Sequence, residues 1–468
     1  MRGLLSLIAF LGGLVGAVAA VSPRQTSVAL GIVGQESGAI NLVLLGITAG
    51  AVGSIVIAAL ADKFGRRTVL MAACIAGGGL SALTAVSTSL TMFAAFQFAA
   101  RMFTVAALVL VVIVAVEESS SEVRGRAVGK LTFFGGLGVA AAALGGQAVD
   151  LLGGDWRVLH MSGALLLLAG LAVPGRINEP TLWMKRSGKA HGVAVQLFQS
   201  GALFFFTYAA ALSALGWWRI YASEQRGFAE QRAGTLMAVG YGLGLTGYLV
   251  AGRLQDHFGR RRIGVLFLFL GCISTIGVFQ VDSEQLMLPL MVIAAFCGTG
   301  ALAVITTLGA EIFATGVRAT SLAVNRGLFA TLGGIGGPLL VGALADADSG
   351  LGLAIGDSVS VTAVMYVPAI MLLLTLPETR SRELQQIEAS AEIPEPDEEY
   401  VYEPVAVGPR VTHPSPIVPE PLVPEPVVAE PALPESDYFD WQPEPNPALS
   451  EEPRSEEERD HPSEPTAN

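Results

Sequence analysis

The hexapeptide Asp62-Lys63-Phe64-Gly65-Arg66-Arg67 returns as Asp256-His257-Phe258-Gly259-Arg260-Arg261, and each copy ends one long apolar run and begins another. The same offset of 194 residues carries Glu117 onto Glu311, Arg124 onto Arg318 and Glu36 onto Glu230, so whole halves of the chain repeat. Two copies of a membrane-embedded unit account for this pattern most simply.

Apolar residues make up 52% of the chain and charged ones 15%, and the apolar ones gather in runs of roughly 20, enough to cross a bilayer as helix. The runs predict helices over 4–21, 38–60, 68–86, 91–116, 128–151, 158–173, 197–217, 233–251, 263–279, 286–310, 322–345 and 359–376. The expected fold class is therefore an all-α membrane protein of twelve transmembrane helices in two pseudo-symmetric six-helix bundles, 1–175 and 197–388. A linker, 176–196, joins the bundles, and a tail, 389–468, follows them. The first run also reads as a cleavable secretory signal, with Arg2 ahead of it and Ala17-Val18-Ala19-Ala20 at its end. The repeat favours retention, because cleavage would leave the first half one helix short.

Basic residues fall in alternate loops. One set carries Lys63, Arg66, Arg67, Arg124, Arg126, Lys130, the four of 176–189, Arg253, the cluster 260–262, Arg318 and Arg326, whereas the opposite set carries only Arg24, Arg157, Arg219, Arg226 and Arg232. Since cytoplasmic loops retain positive charge, both termini and both hexapeptides are expected in the cytoplasm. The tail is dense in Pro and Glu and holds about half of the acidic residues, so the net charge of −12 belongs largely to it. Such a segment cannot bury a core and reads as disordered, with unknown partners.

Cys74, Cys272 and Cys297 fall inside apolar runs without CxxC spacing, and the five histidines are scattered, so no disulfide, metal or cofactor is expected. Nothing resembles a nucleophile–base set or a phosphate loop, and neither enzyme chemistry nor nucleic-acid binding is expected. Arginine far outnumbers lysine, a bias of high-GC bacterial coding sequences.

Residues 53–67 and 247–261 resemble the loops between helices two and three, and eight and nine, of the major facilitator superfamily. Residues 117–125 and 311–318 resemble its sugar-porter-like branch, in which a Glu ending helix four or ten precedes an Arg by seven residues. Segment 176–184, with Glu179-Pro180 and Trp183, is similar to the stretch after helix six, and Pro377-Glu378-Thr379 with Leu384 to the stretch after helix twelve. The resemblance covers about residues 1–388 and implies a cell-membrane transporter of a small sugar-like or organic-ion solute. It also implies a gate that holds the halves together when the cavity faces outward. One cluster would be Glu117, Arg124, Glu179 and Arg66 or Arg67; the other would be Glu311, Arg318, Glu378 and Arg260 or Arg261. Gly65 and Gly259 permit tight turns, and Asp62 and Asp256 are placed to accept hydrogen bonds from a nearby helix N-terminus.

Polar and aromatic groups inside the runs are candidates to line the solute path: Gln97, Arg101, Tyr208, Trp217, Trp218, Tyr241, Thr306, Thr307 and Asn325. Arg101 lies sixteen residues before Glu117, about 24 Å along a helix, and would favour an anionic substrate. Helix seven lacks the glutamine pair of a sugar porter, and no Asp or Glu lies in the middle of any run. Proton coupling and facilitated diffusion both stay open, as do drug efflux and a transporter-like sensor signalling through the tail.

Overall fold

A computed structural model of the chain describes residues 1–21, 36–184, 193–348 and 350–384, the side chains of 20, 21, 36–41 and 150 excepted. The acidic tail, Arg24, Lys185, Arg186, Lys189 and the side chain of Glu36 lie outside the described residues. Where lipid surrounds an apolar run, the backbone must satisfy its own N–H and C=O groups, and helix does so within one segment. In the first half these helices are α1 (Arg2–Val21), α2 (Glu36–Phe64), α3 (Arg66–Thr84), α4 (Leu90–Glu117), α5 (Arg124–Leu152) and α6 (Arg157–Leu171). The second half supplies α7 (Val193–Gln225), α8 (Glu230–Phe258), α9 (Arg260–Gln280), α10 (Glu284–Glu311), α11 (Arg318–Ala345) and α12 (Ile355–Thr375). Among the described residues eleven helices are long and apolar enough to cross a membrane; α6 is apolar but shorter, with a turn at Ser162.

The apolar runs mark the same helices, but α2, α5, α8 and α11 extend further at the end that carries the hexapeptides. Charged residues there are covered by neighbouring helices: Arg66, Arg260 and Arg318 have no exposed surface and Arg124 has 2%. Gly65 and Gly259 take φ of 103° and 99°, a region open to glycine, so α2 turns directly into α3 and α8 into α9. Two helices carry a π-turn, α7 at Tyr221–Gln225 and α11 at Val324–Phe329.

Packing repeats the sequence symmetry. Helix α1 lies along α5, and α7 along α11. A Cβ on Gly13 would stand 2.1 Å from the Gly135 carbonyl oxygen, and one on Gly333 2.1 Å from that of Phe205, so backbone meets backbone in both pairs. Leu4, Leu5 and Ile8 of α1 are buried in the common core, which makes the first run a member of the bundle. The two halves meet where α5 packs on α8 and α2 on α11, two contacts that the repeat exchanges.

Candidate functional site

At the hexapeptide end, each half sends an aspartate into the other. Asp62 at the end of α2 accepts from the backbone N–H of Ala319 (3.3 Å) and Thr320 (2.9 Å) and from the Thr320 hydroxyl, at the first turn of α11. Asp256 at the end of α8 accepts from the N–H of Gly125 and Arg126, both at 2.8 Å, at the first turn of α5. A helix N-terminus has unpaired N–H groups and a positive dipole end, so both carboxylates gain hydrogen bonds and charge complementarity.

Beneath them lie the arginines. Arg66 reaches Asp62 (2.7 Å) and Glu117 (3.3 Å), and it donates to the Thr315 carbonyl in the other half at 2.6 Å. Arg260 repeats this with Asp256 (3.4 Å), Glu311 (2.8 Å) and the Ser121 carbonyl (3.4 Å). The following arginines point elsewhere: Arg67 donates to the Pro174 carbonyl and Arg261 to that of Leu374, at the C-terminal ends of α6 and α12. Glu179 and Glu378 cap the next helices, accepting from the N–H of Arg66 and Arg67 and of Arg260 and Arg261. A Cβ on Gly65 or Gly259 would lie 2.8 Å from these carboxylates, so space as well as φ calls for glycine.

Two arginines pair differently from the expected clusters. Arg318 crosses to Glu117 of the first half at 2.9 Å, and Arg124 reaches neither Glu117 nor Glu311. Arg124 binds the segment after α12 instead, donating to the Arg382 carbonyl (2.8 Å) and Glu383 (3.1 Å). The reason lies in the docking of α5 and α11 across the interface, which turns their first side chains toward the opposite half. Glu383, absent from the sequence expectation, also accepts from the Ser121 hydroxyl at 2.8 Å. That hydrogen bond, with the Arg124 charge, holds its carboxyl below the usual glutamate range.

Further along the interface a cavity of about 160 Å³ opens between α1, α4, α5, α7, α8, α10 and α11. Its polar wall consists of Thr132, Tyr208, Tyr248, Thr306 and Arg326. Arg326 lies in the π-turn of α11, eight residues past Arg318 and hence about 12 Å from the gate. Its repeat mate is Thr132, on the same wall. The sequence expectation counted Arg326 with the cytoplasmic basic residues, at the cytoplasmic start of a helix beginning at 322. Helix α11 begins at Arg318, so Arg326 lies two turns inside.

Of the remaining path candidates, Tyr208 and Thr306 line this cavity, and the others make bonds within one half. Gln97 donates to Thr84 (3.0 Å) and contacts His160 (3.3 Å). Arg101 donates to the Gly16 carbonyl and packs on Gly50. The indoles of Trp217 and Trp218 donate to the carbonyls of Pro338 and Ala233. Thr307 accepts from Gln255 (3.1 Å), Asn325 donates to Ser200 (3.0 Å), and Tyr241 packs on the cluster around Trp218 and Phe279.

The two-fold repeated helical bundle thus carries a charged cluster at one end and a cavity midway along the interface between its halves. The chain belongs to the Major Facilitator Superfamily, whose profile matches residues 4–338 and 197–429. It is 26% identical over 348 residues to NiaP of Bacillus subtilis (strain 168), assigned as a niacin/nicotinamide transporter, covering 72% of this chain and 85% of that protein. Its fold is similar to that of the proton:xylose symporter XylE, with a TM-score of 0.67 and 18% identity over 84% of this chain and 98% of that one. The human organic anion transporter MFSD10 (TETRAN) also shares the fold, with a TM-score of 0.64 and 14% identity over 80% and 99% of the two chains. The protein is thus a multi-pass membrane transporter of small solutes.

Proposed function

We propose that the protein carries small organic anions by alternating access, with 1–175 and 197–388 as the two moving bundles and 176–196 as their link. The observation that carries this reading is Arg326, a guanidinium on the wall of a cavity whose other polar groups are hydroxyls. Arginine binds a carboxylate through two parallel hydrogen bonds, and the phenols of Tyr208 and Tyr248 can add donors beside it. The wall offers no carboxamide or carboxylate to match the several hydroxyls of a polyol, and its one charged group is a donor only. Niacin, in the name of the Bacillus relative, is a pyridine carboxylate and a solute of this kind. With the basic loops in the cytoplasm, as their charge requires, the closed gate is the inner one and the cavity faces outward across the plasma membrane.

The test is uptake into proteoliposomes of labelled nicotinate, benzoate, nicotinamide, xylose and tetraethylammonium by wild type and Arg326→Gln. Nicotinate or benzoate should enter, and the substitution should cut that uptake by roughly 100-fold, the worth of a charge-assisted bond pair. Carriage of xylose or the cation with no dependence on Arg326 would sink the reading.

A further inference from the structure

The four buried arginines at the hexapeptide end each have a carboxylate within ion-pair distance. Arg66 has Asp62 and Glu117, Arg260 has Asp256 and Glu311, Arg318 has Glu117, and Arg124 has Glu383. Arg326 differs: among the described residues no Asp or Glu lies within 4.0 Å of it. Its repeat mate Thr132 carries no charge, and no apolar run holds an acidic residue at its centre. Arg101, about 24 Å along α4 from Glu117 and so at a different depth, donates to the Gly16 carbonyl, and among the described residues no acid lies within 4.0 Å of it. Among the described residues, therefore, no carboxylate pairs with the positive charge that Arg326 places on the cavity wall. In the present conformation Arg326 is partly exposed, so water can solvate it.

Alternating access requires the cavity to close before it opens on the other side. Closing it empty would strip water from an uncompensated guanidinium in a low-dielectric interior, which is unfavourable. With an organic anion bound, the same closure buries a neutral ion pair with its hydrogen bonds made.

We infer that the protein is an exchanger, in which the anion-loaded carrier crosses readily and the empty carrier returns slowly, so that uptake of one organic anion is driven by release of another. This inference rests on the proposed anion site at Arg326 and adds to it a statement about the cycle.

The experiment uses the full chain in proteoliposomes, with the membrane potential clamped to zero. Labelled nicotinate and labelled benzoate are the probes. Initial uptake is compared between vesicles loaded with the same unlabelled anion and vesicles loaded with sucrose, while binding is followed separately by intrinsic tryptophan fluorescence. Preloading should raise initial uptake roughly tenfold or more, the effect expected when return of the empty carrier limits turnover. Arg326→Lys, which keeps the charge, should keep the stimulation. Equal uptake into both kinds of vesicle would overturn the exchange cycle while leaving the anion site intact. Absence of both binding and uptake for either anion would overturn the site itself, and the exchange with it.

Discussion

Gly65 and Gly259 serve two demands at once, since each turns the chain at positive φ and leaves room for the carboxylate that caps the next helix. Gly65→Ala should therefore weaken the closed gate by about 1–3 kcal/mol through backbone strain and displacement of Glu179. Spin labels on the exposed residues Lys130 of α5 and Arg253 of α8 would report it as a larger population of the long distance. Glu383 gives the gate a pH dependence with a definite sign. Its carboxyl is depressed only while Ser121 and Arg124 hold it, so the contact is fully present above about pH 4.3, the ordinary glutamate value, and is lost as pH falls through the lowered one. Acidification through that window should widen the same label pair, and Glu383→Gln should diminish the pH response, the remainder coming from Asp256, whose carboxylate binds the first turn of α5.

Among the helices, closure depends on how near α5 can come to α8. A Cβ on Gly129 would stand 2.4 Å from the Tyr248 carbonyl oxygen and 2.9 Å from the Gly252 Cα. Gly129→Val should hold these helices apart, leave the fold of each half intact and shift the label distance toward the open form; an unchanged distance would refute this account. The π-turn in α11 is the other decisive local feature. It falls at the depth where α11 faces the cavity, and it holds both Arg326, on the wall, and Asn325, which is turned inward to Ser200. Such one-turn departures from α-helical spacing are common at functional sites. A helical-wheel reading of 318–345 with uniform spacing misses the orientation of these residues, and here the sequence expectation chose Asn325 over Arg326.

At the scale of the whole molecule, the segment after α12 joins the charged cluster between the halves. Glu378 caps α9, the Thr379 hydroxyl bonds Glu311, Glu383 binds the first half, and Leu384 is 1% exposed. A chain ending after Leu384 should transport at close to the full rate, whereas one ending after Leu376 should lose most of it. Initial uptake by the two truncated chains, with folding checked by gel filtration, measures this directly. Loss of uptake in the longer chain would give the tail a direct part in transport.

The apolar runs, their number and the 194-residue repeat fixed the helices before any contact was known, because a bilayer leaves an apolar segment no alternative to helix. Asp62, Arg66, Glu117 and their mates were legible for the same reason: charged residues repeated at membrane helix ends stand out against an apolar background. Their partners were not legible. Whether Arg124 meets Glu117, Glu311 or Glu383 depends on how one half docks on the other, and 259 residues separate Arg124 from Glu383. Arg326 reads from the sequence as a residue at the cytoplasmic start of the eleventh helix, and only the burial of Arg318 and the following turn against the opposite half sets it two turns inside. Local sequence sets which segments are helical, but which polar groups can be buried depends on neighbours far along the chain, and only the tertiary structure brings those together.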